Sequence, residues 1–227
     1  MKETNQTRSE LLLGKDKLQK LKNSTVVVVG VGGVGGFCVE ALARCGVGRL
    51  VLIDHDIIEA SNMNRQIIAT QETLQQVKVE VFKKRIHAID PGCQVDAYQK
   101  FYTRDMNEIL DSYKIDFLID CIDSIKSKQD LISYCLEKDV PFLSSMGMGR
   151  RQDPTKLRIM ELEKTSYDPI AKRLRNWKRK NHIRKKIMVI SSLEPPISVP
   201  SNQPLPSTIF VPASAGLLMA NECIQRL

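Results

Sequence analysis

Six residues, Gly30-Val-Gly-Gly-Val-Gly35, directly follow the β-branched run Thr25-Val-Val-Val-Val29 and open an apolar stretch that reaches Ala43. Glycines at 30, 32, 33 and 35 let the backbone approach a phosphate, and a helix N-terminus there favours negative charge. The loop alone marks a nucleotide site without saying which nucleotide. Its plain alternative is a tight strand-to-helix turn with no ligand. Asp54 follows a second apolar run, Leu50-Val-Leu-Ile53, where a carboxylate can accept hydrogen bonds from ribose hydroxyls. A dinucleotide dehydrogenase shares that arrangement. The next residues set the chain apart: Asn62, Arg65 and Gln66 form N-x-x-R-Q, and Lys78 lies beyond them. NAD does not need such a basic group, but a triphosphate does. Arginine offers a planar fork to phosphate oxygens and lysine a compact point charge. Asp123 closes a further apolar run, Phe117-Leu-Ile119, and a carboxylate there suits Mg²⁺ beside phosphates. Any one of these charges alone reads as a solvated surface residue; the ordered set points to ATP.

The elements that must position these residues alternate. The spacing predicts a helix over 8–22, strands at 25–29 and 50–53, and an amphipathic helix over 72–89 stopped by Asp90-Pro91-Gly92. A strand near 94–98, a helix from Thr103 to about 113, a strand at 117–119, a helix over 125–138 and a strand opened by Pro141 come next. Short continuous Val/Ile/Leu runs suit parallel strands buried on both faces, so the class is α/β with a mostly parallel sheet. After about residue 150 the pattern changes. Residues 156–162 alternate as a half-exposed strand does, which extends the sheet with antiparallel pairing. Residues 195–206 hold five of the ten prolines and read as an irregular crossover loop. A helix of small residues ends the sequence.

Composition narrows the class. Apolar residues make up 42%, enough for a sizeable core, and aromatics only 5%, so that core is aliphatic. None of the six cysteines has C-x-x-C spacing, which argues against a structural zinc site. No apolar run approaches the roughly 20 residues of a membrane span, and the first residues lack a signal-peptide core. The expectation is a cytoplasmic protein of one domain over 1–227, with no membrane association. The net charge of +8 suits a polyanionic partner.

The residues GVGGVG, LIDHDIIEASNMNRQ, Lys78 and DCIDS resemble the ubiquitin-activating-enzyme-like adenylating superfamily, which includes the bacterial activators of sulfur-carrier proteins. The resemblance implies a Rossmann-like ATP-binding fold. It gives Asp54 the ribose, Asn62, Arg65, Gln66 and Lys78 the phosphates, and Asp123 the metal. Arg8 corresponds to an arginine that reaches the nucleotide of a partner subunit, which implies a homodimer. TRSELLLG, SSMGMGRRQDPTKLRI, DPIAKRLR and TIFVPASAGLLMA resemble the bacterial branch that dehydrates threonylcarbamoyladenosine in tRNA, and this likeness covers nearly the whole chain. That branch implies ATP and Mg²⁺, leaves room for a monovalent cation near the nucleotide, and leaves open a cysteine desulfurase or sulfur-acceptor partner.

Residues 172–186 suit the tRNA reading. They hold Lys172, Arg173, Arg175, Lys178, Arg179, Lys180, Arg184, Lys185 and Lys186 and no acid. Such a block is an electrostatic footprint for a phosphate backbone. Trp177 within it either stacks on a base or turns to the core. Some relatives carry a cysteine in the crossover loop, but none lies between Cys135 and Cys223 here, which disfavours a thioester route. Cys223 reads as a packed small residue and His55 as a surface or structural one. Three competing readings stay open: activation of a ubiquitin-like sulfur carrier at its C-terminus, an NAD(P) oxidoreductase, and a tRNA- or nucleotide-binding module without catalysis.

Overall fold

Val26 to Val29 are all buried, and alternate members face opposite layers. They belong to β1 (Thr25–Val29), inside a seven-stranded sheet. The other strands are β2 (Arg49–Ile53), β3 (Gln94–Tyr98), β4 (Phe117–Asp120), β5 (Phe142–Ser145), β6 (Leu157–Glu161) and β7 (Met188–Ser192). Their order is β3-β2-β1-β4-β5-β7-β6, in a computed structural model that describes residues 3–200 and 202–227. All neighbouring pairs are parallel except β6 with β7. The part of the sequence after residue 150 therefore adds one more parallel strand, β7, and one antiparallel edge strand, β6. The serines that close β7 give it a weaker sequence signal than the all-apolar runs.

Helices cover both faces. Val26 and Val28 pack with residues of α3 (Gly35–Arg44), α4 (Lys78–Ile89) and α8 (Phe210–Arg226). Val27 and Val29 pack with α5 (Asn107–Asp111) and α6 (Ile125–Glu137), and a third apolar cluster seats α7 (Pro169–Lys180) beside α6 and β7. Strand order reverses between β1 and β4. In such sheets ligands bind at that switch point, outside the carboxyl ends of the strands. Among the described residues no helix is long and apolar enough to cross a membrane.

Three expected helices differ. The helix over 8–22 is two, α1 (Thr7–Leu13) and α2 (Lys15–Lys22), broken where Gly14 takes a φ of 85°. Leu21 is buried, but Leu11 and Leu12 are 85% and 84% exposed, so the four leucines do not share a core face. The helix over 72–89 begins only at Lys78; the preceding turns include Gln75 at a φ of 64° and an isolated bridge from Ile57 to Val77. The segment after Thr103 is a single turn, Arg104–Met106, running into the short α5, and the Thr103 side chain makes no capping bond. Ser201 of the crossover loop and residues 1–2 lie outside the described residues.

Candidate active site

The glycine loop sits at the strand-order reversal and forms one side of a cleft of about 350 Å³. Two of its glycines are required by packing alone. Gly30 has a φ of 86°, and a Cβ there would lie 2.7 Å from the Cys121 carbonyl oxygen. A Cβ on Gly35 would lie 1.8 Å from the Gly30 carbonyl oxygen. The β1–α3 turn thus presses against the loop after β4 that carries Asp123.

Asp54 is buried at the end of β2. Its Oδ2 accepts from the Val31 N–H at 2.7 Å and its Oδ1 from the Asp56 N–H at 2.9 Å. Those bonds fix the carboxylate against the glycine loop and use two of its roughly four acceptor sites. Asn62 ends a one-turn helix, Ala60–Asn62, and its Oδ1 accepts from the Glu59 N–H at 3.2 Å. Three residues on, the Arg65 guanidinium donates to the Ser61 carbonyl and to Asn64 Oδ1, each at 2.8 Å. Its stem lies beside Gly33, with Cγ 3.5 Å from where a Cβ would stand. Among the described residues no carboxylate pairs with Arg65, so its charge remains available to a ligand. Gln66 is buried, and among the described residues its Oε1 has no hydrogen-bond partner. A buried orphan acceptor costs about 1–3 kcal/mol.

Lys78 is the first residue of α4 and is 4% exposed. Its Nζ donates to Asp56 Oδ2 at 2.7 Å, and His55 Nε2 lies 3.1 Å from Asp56 Oδ1. The His55 ring meets Phe101 edge-on, with centroids 4.9 Å apart. Asp123 is exposed and lines the same cleft. The fold therefore brings together Gly30, Gly32, Gly33, Gly35, Asp54, Asn62, Arg65, Gln66, Lys78 and Asp123. It adds Lys100 and Phe101, from the loop after β3, which no sequence motif marks. Asp54, His55 and Asp56 also stand close enough to share an ion.

A second cluster is not legible in the sequence. Lys128 Nζ, fully buried on α6, donates to Asp120 Oδ2 at 2.9 Å and to Ser144 Oγ at 3.2 Å. Ser144 donates to the same Asp120 oxygen at 2.6 Å, and Asp120 Oδ1 accepts from the Ile122 N–H at 3.0 Å. Asp120 thereby shapes the turn that leads to Asp123.

Arg8 is 89% exposed on α1, 4.0 Å from Glu3, and does not line this cleft. The same segment is tied by Gln6 to the Arg44 carbonyl at the far end of α3. Ten helical residues, about 15 Å, separate that end from the glycine loop.

The basic block is divided. Lys172, Arg173, Arg179, Lys180, Arg184, Lys185 and Lys186 are exposed. Lys178 is buried and paired with Glu163, which takes it off the solvent face where a phosphate-binding lysine would sit. Arg175 donates to the Thr165 carbonyl at 3.0 Å, Lys185 pairs with Asp139, and Lys186 with Glu161 at 2.7 Å. Trp177 is half-buried against the apolar cluster under α7 rather than offered to a base. Burial pushes the Cys223 thiol up to about 12, and burial, with the Asp120 charge second, raises that of Cys121. Neither is poised as a nucleophile.

A mostly parallel α/β sheet with a glycine loop, a buried acid and, among the described residues, an arginine paired with no carboxylate, all at its switch point, defines a nucleotide-binding protein built for a polyphosphate. The chain belongs to the ThiF family, whose sequence profile matches residues 4–227. It is 43% identical over 237 residues to the tRNA threonylcarbamoyladenosine dehydratase of Bacillus subtilis, covering 97% of this chain and 93% of that relative. The Escherichia coli enzyme of the same name is 40% identical over 164 residues, 72% of this chain and 61% of the relative. The crystal structure of that E. coli enzyme, TcdA, in complex with ATP superposes with a TM-score of 0.90 at 32% identity, covering 96% of this chain and 91% of the other.

Proposed function

We infer that this chain is an ATP-dependent enzyme that dehydrates threonylcarbamoyladenosine in tRNA, next to the anticodon, by adenylating the threonyl carboxylate. Arg65, Gln66 and Lys78 meet around the glycine loop in a chain that is 43% identical, over 97% of its length, to a relative named tRNA threonylcarbamoyladenosine dehydratase. That co-location carries the reading.

The chemistry needs two steps. A carboxylate oxygen of the substrate attacks the α-phosphorus of ATP, the bond to the bridging β-phosphate oxygen breaks, and pyrophosphate leaves. Arg65 and Lys78 stabilise the charge that develops on the phosphate oxygens. A nucleophilic atom of the same threonylcarbamoyl group then attacks the activated carbonyl and loses its proton. The bond to AMP breaks, and a ring closes with net loss of one water. An intramolecular attack of this kind gains an effective molarity on the order of 10⁵ M or more, so no protein thiol is required. The Asp123 carboxylate makes no hydrogen bond or ion pair among the described residues, so its oxygens fit a hard cation. Bound Mg²⁺ would supply neutralisation of phosphate charge there. Incubation with ATP and threonylcarbamoylated tRNA, followed by nucleoside mass spectrometry, tests the reading. Loss of one water that depends on ATP supports it; unchanged nucleoside contradicts it.

The whole chain acts in this reading as one adenylation unit, and as a homodimer. Arg8 does not line its own cleft, α1 buries none of its residues, and Leu11 and Leu12 stand exposed beside it. Phe210, Leu217 and Leu218 leave a second apolar stripe on α8. Dimer mass by sedimentation equilibrium is expected, with Arg8→Ala lowering turnover about 10-fold or more. A monomer with full activity would contradict this.

The RNA grip is the exposed face of α7 together with Arg184. Replacing Lys172, Arg173, Arg179 and Lys180 by alanine is expected to weaken tRNA binding and flatten its salt dependence by about 0.7–0.9 log units for each phosphate that is no longer neutralised. ATP affinity should stay unchanged. Filter binding at several salt concentrations checks it, and an unaltered salt slope would remove α7 from the interface.

A further inference from the structure

Two sequence stretches, SSMGMGRRQDPTKLRI and DPIAKRLR, take little part in the phosphate cluster, yet the fold joins them through one carboxylate. Asp168 precedes α7, and its Oδ1 accepts from the Ala171 N–H at 2.8 Å, capping the helix. Its Oδ2 accepts from the Gly147 N–H at 2.9 Å and from Arg151 Nη2 at 3.2 Å. The Arg151 and Asp168 side chains are 1% and 0% exposed. Arg151 Nε donates back to the Gly147 carbonyl at 3.2 Å, and its Nη1 donates to the Glu194 carbonyl at the start of the crossover loop. Between Gly147 and Arg151 lie Met148, Gly149 and Arg150, of which the first two form a wall of the cleft. Leu205 of the crossover loop closes on Gly149, where a Cβ would meet it at 2.6 Å. Asp168 therefore holds both ends of a cleft-lining turn and the first turn of the basic helix.

We propose that Asp168 and Arg151 are positioning residues that set the RNA-gripping helix α7 in register with the adenylation cleft. The proposal rests on the tRNA reading above. Phosphate contacts along α7 fix where an RNA lies but not where its modified base falls. A rigid helix of 12 residues spans about 18 Å, so a small change at its anchored end displaces bound RNA at the reaction centre. A misplacement of about 1 Å can cost about 100-fold in rate. A buried ion pair is weak evidence for stability, and this one joins the cleft-lining turn to α7.

The test separates this role from helix capping. Asp168→Ser keeps a capping oxygen but loses the link to Arg151, and Arg151→Met breaks the link from the other side with the cap intact. Steady-state turnover of threonylcarbamoylated tRNA, tRNA affinity and ATP affinity are measured on the full chain. Both variants are expected to bind tRNA and ATP within about 2-fold of wild type while kcat falls about 10- to 100-fold. The near-isosteric Asp168→Asn, which keeps the cap and removes the charge, should show the same split and serves if either variant fails to fold. Wild-type kcat in a folded variant overturns the proposal, as does a loss of ATP affinity that matches the loss of turnover. A wild-type protein that leaves modified tRNA unchanged contradicts the functional reading instead, before any variant is made.

Discussion

Lys78→Ala is expected to lower ATP-dependent turnover of modified tRNA by about 100- to 1000-fold, the usual cost of removing one charge stabiliser from a transition state. The loss should fall on catalysis rather than on folding. Lys78 is buried, but its partner Asp56 has a side chain 47% exposed and keeps His55 within 3.1 Å. Water can therefore cover the freed carboxylate, and the stability cost should stay near about 1 kcal/mol. Lys78→Arg restores charge with the wrong shape and should recover only part of the rate, because a guanidinium does not replace a compact ammonium. Release of AMP and pyrophosphate, followed beside a thermal melt, checks both halves. Turnover within 3-fold of wild type would remove the phosphate role of Lys78 (a 3-fold change is only about 0.7 kcal/mol).

The second large effect lies behind the cleft. Lys128→Met should destabilise the protein by about 3–5 kcal/mol, because it strands the Asp120 carboxylate in the core. Lys128 and Asp120 are 0% and 1% exposed, so solvent cannot take over as it does at Asp56. Adding Asp120→Asn to Lys128→Met removes the unpaired charge and should recover most of the loss. Urea denaturation of wild type, single and double variants measures this. A single variant as stable as wild type would show that the pair does not hold the turn before Asp123.

The parts of the fold legible in the sequence are those governed by local pattern. β1, β2 and β4 carry the apolar runs Val26–Val29, Leu50–Ile53 and Phe117–Ile119 because a parallel strand covered on both faces is mostly apolar. The glycine loop, Asp54 and N-x-x-R-Q stand within 37 residues of one another, so their meeting in one cleft follows from a single β-α-β unit. The misses are tertiary. Lys128 on an isolated helix reads as a solvated charge, and only β4 and β5 beside it supply Asp120 and Ser144. Residues 72–77 form turns that Leu74 and Val77 pack against the core, so the helical spacing read from 72 is misleading before Lys78. The block at 172–186 shows nine charges as composition, but Lys178 turns inward to Glu163, a pairing that composition cannot reveal. Asp168–Arg151 joins residues 17 positions apart through the packing of α7, which no periodicity encodes.

In the proposed reaction the substrate carboxylate, and not a protein thiol or another phosphate, meets the α-phosphorus of ATP. Threonylcarbamoylated tRNA carrying ¹⁸O in both carboxylate oxygens tests this in a single turnover. Adenylation predicts that one ¹⁸O leaves in AMP and that pyrophosphate carries none. Label in inorganic phosphate with formation of ADP would place the attack at the γ-phosphate, and unlabelled AMP would mean that the carboxylate was never adenylated.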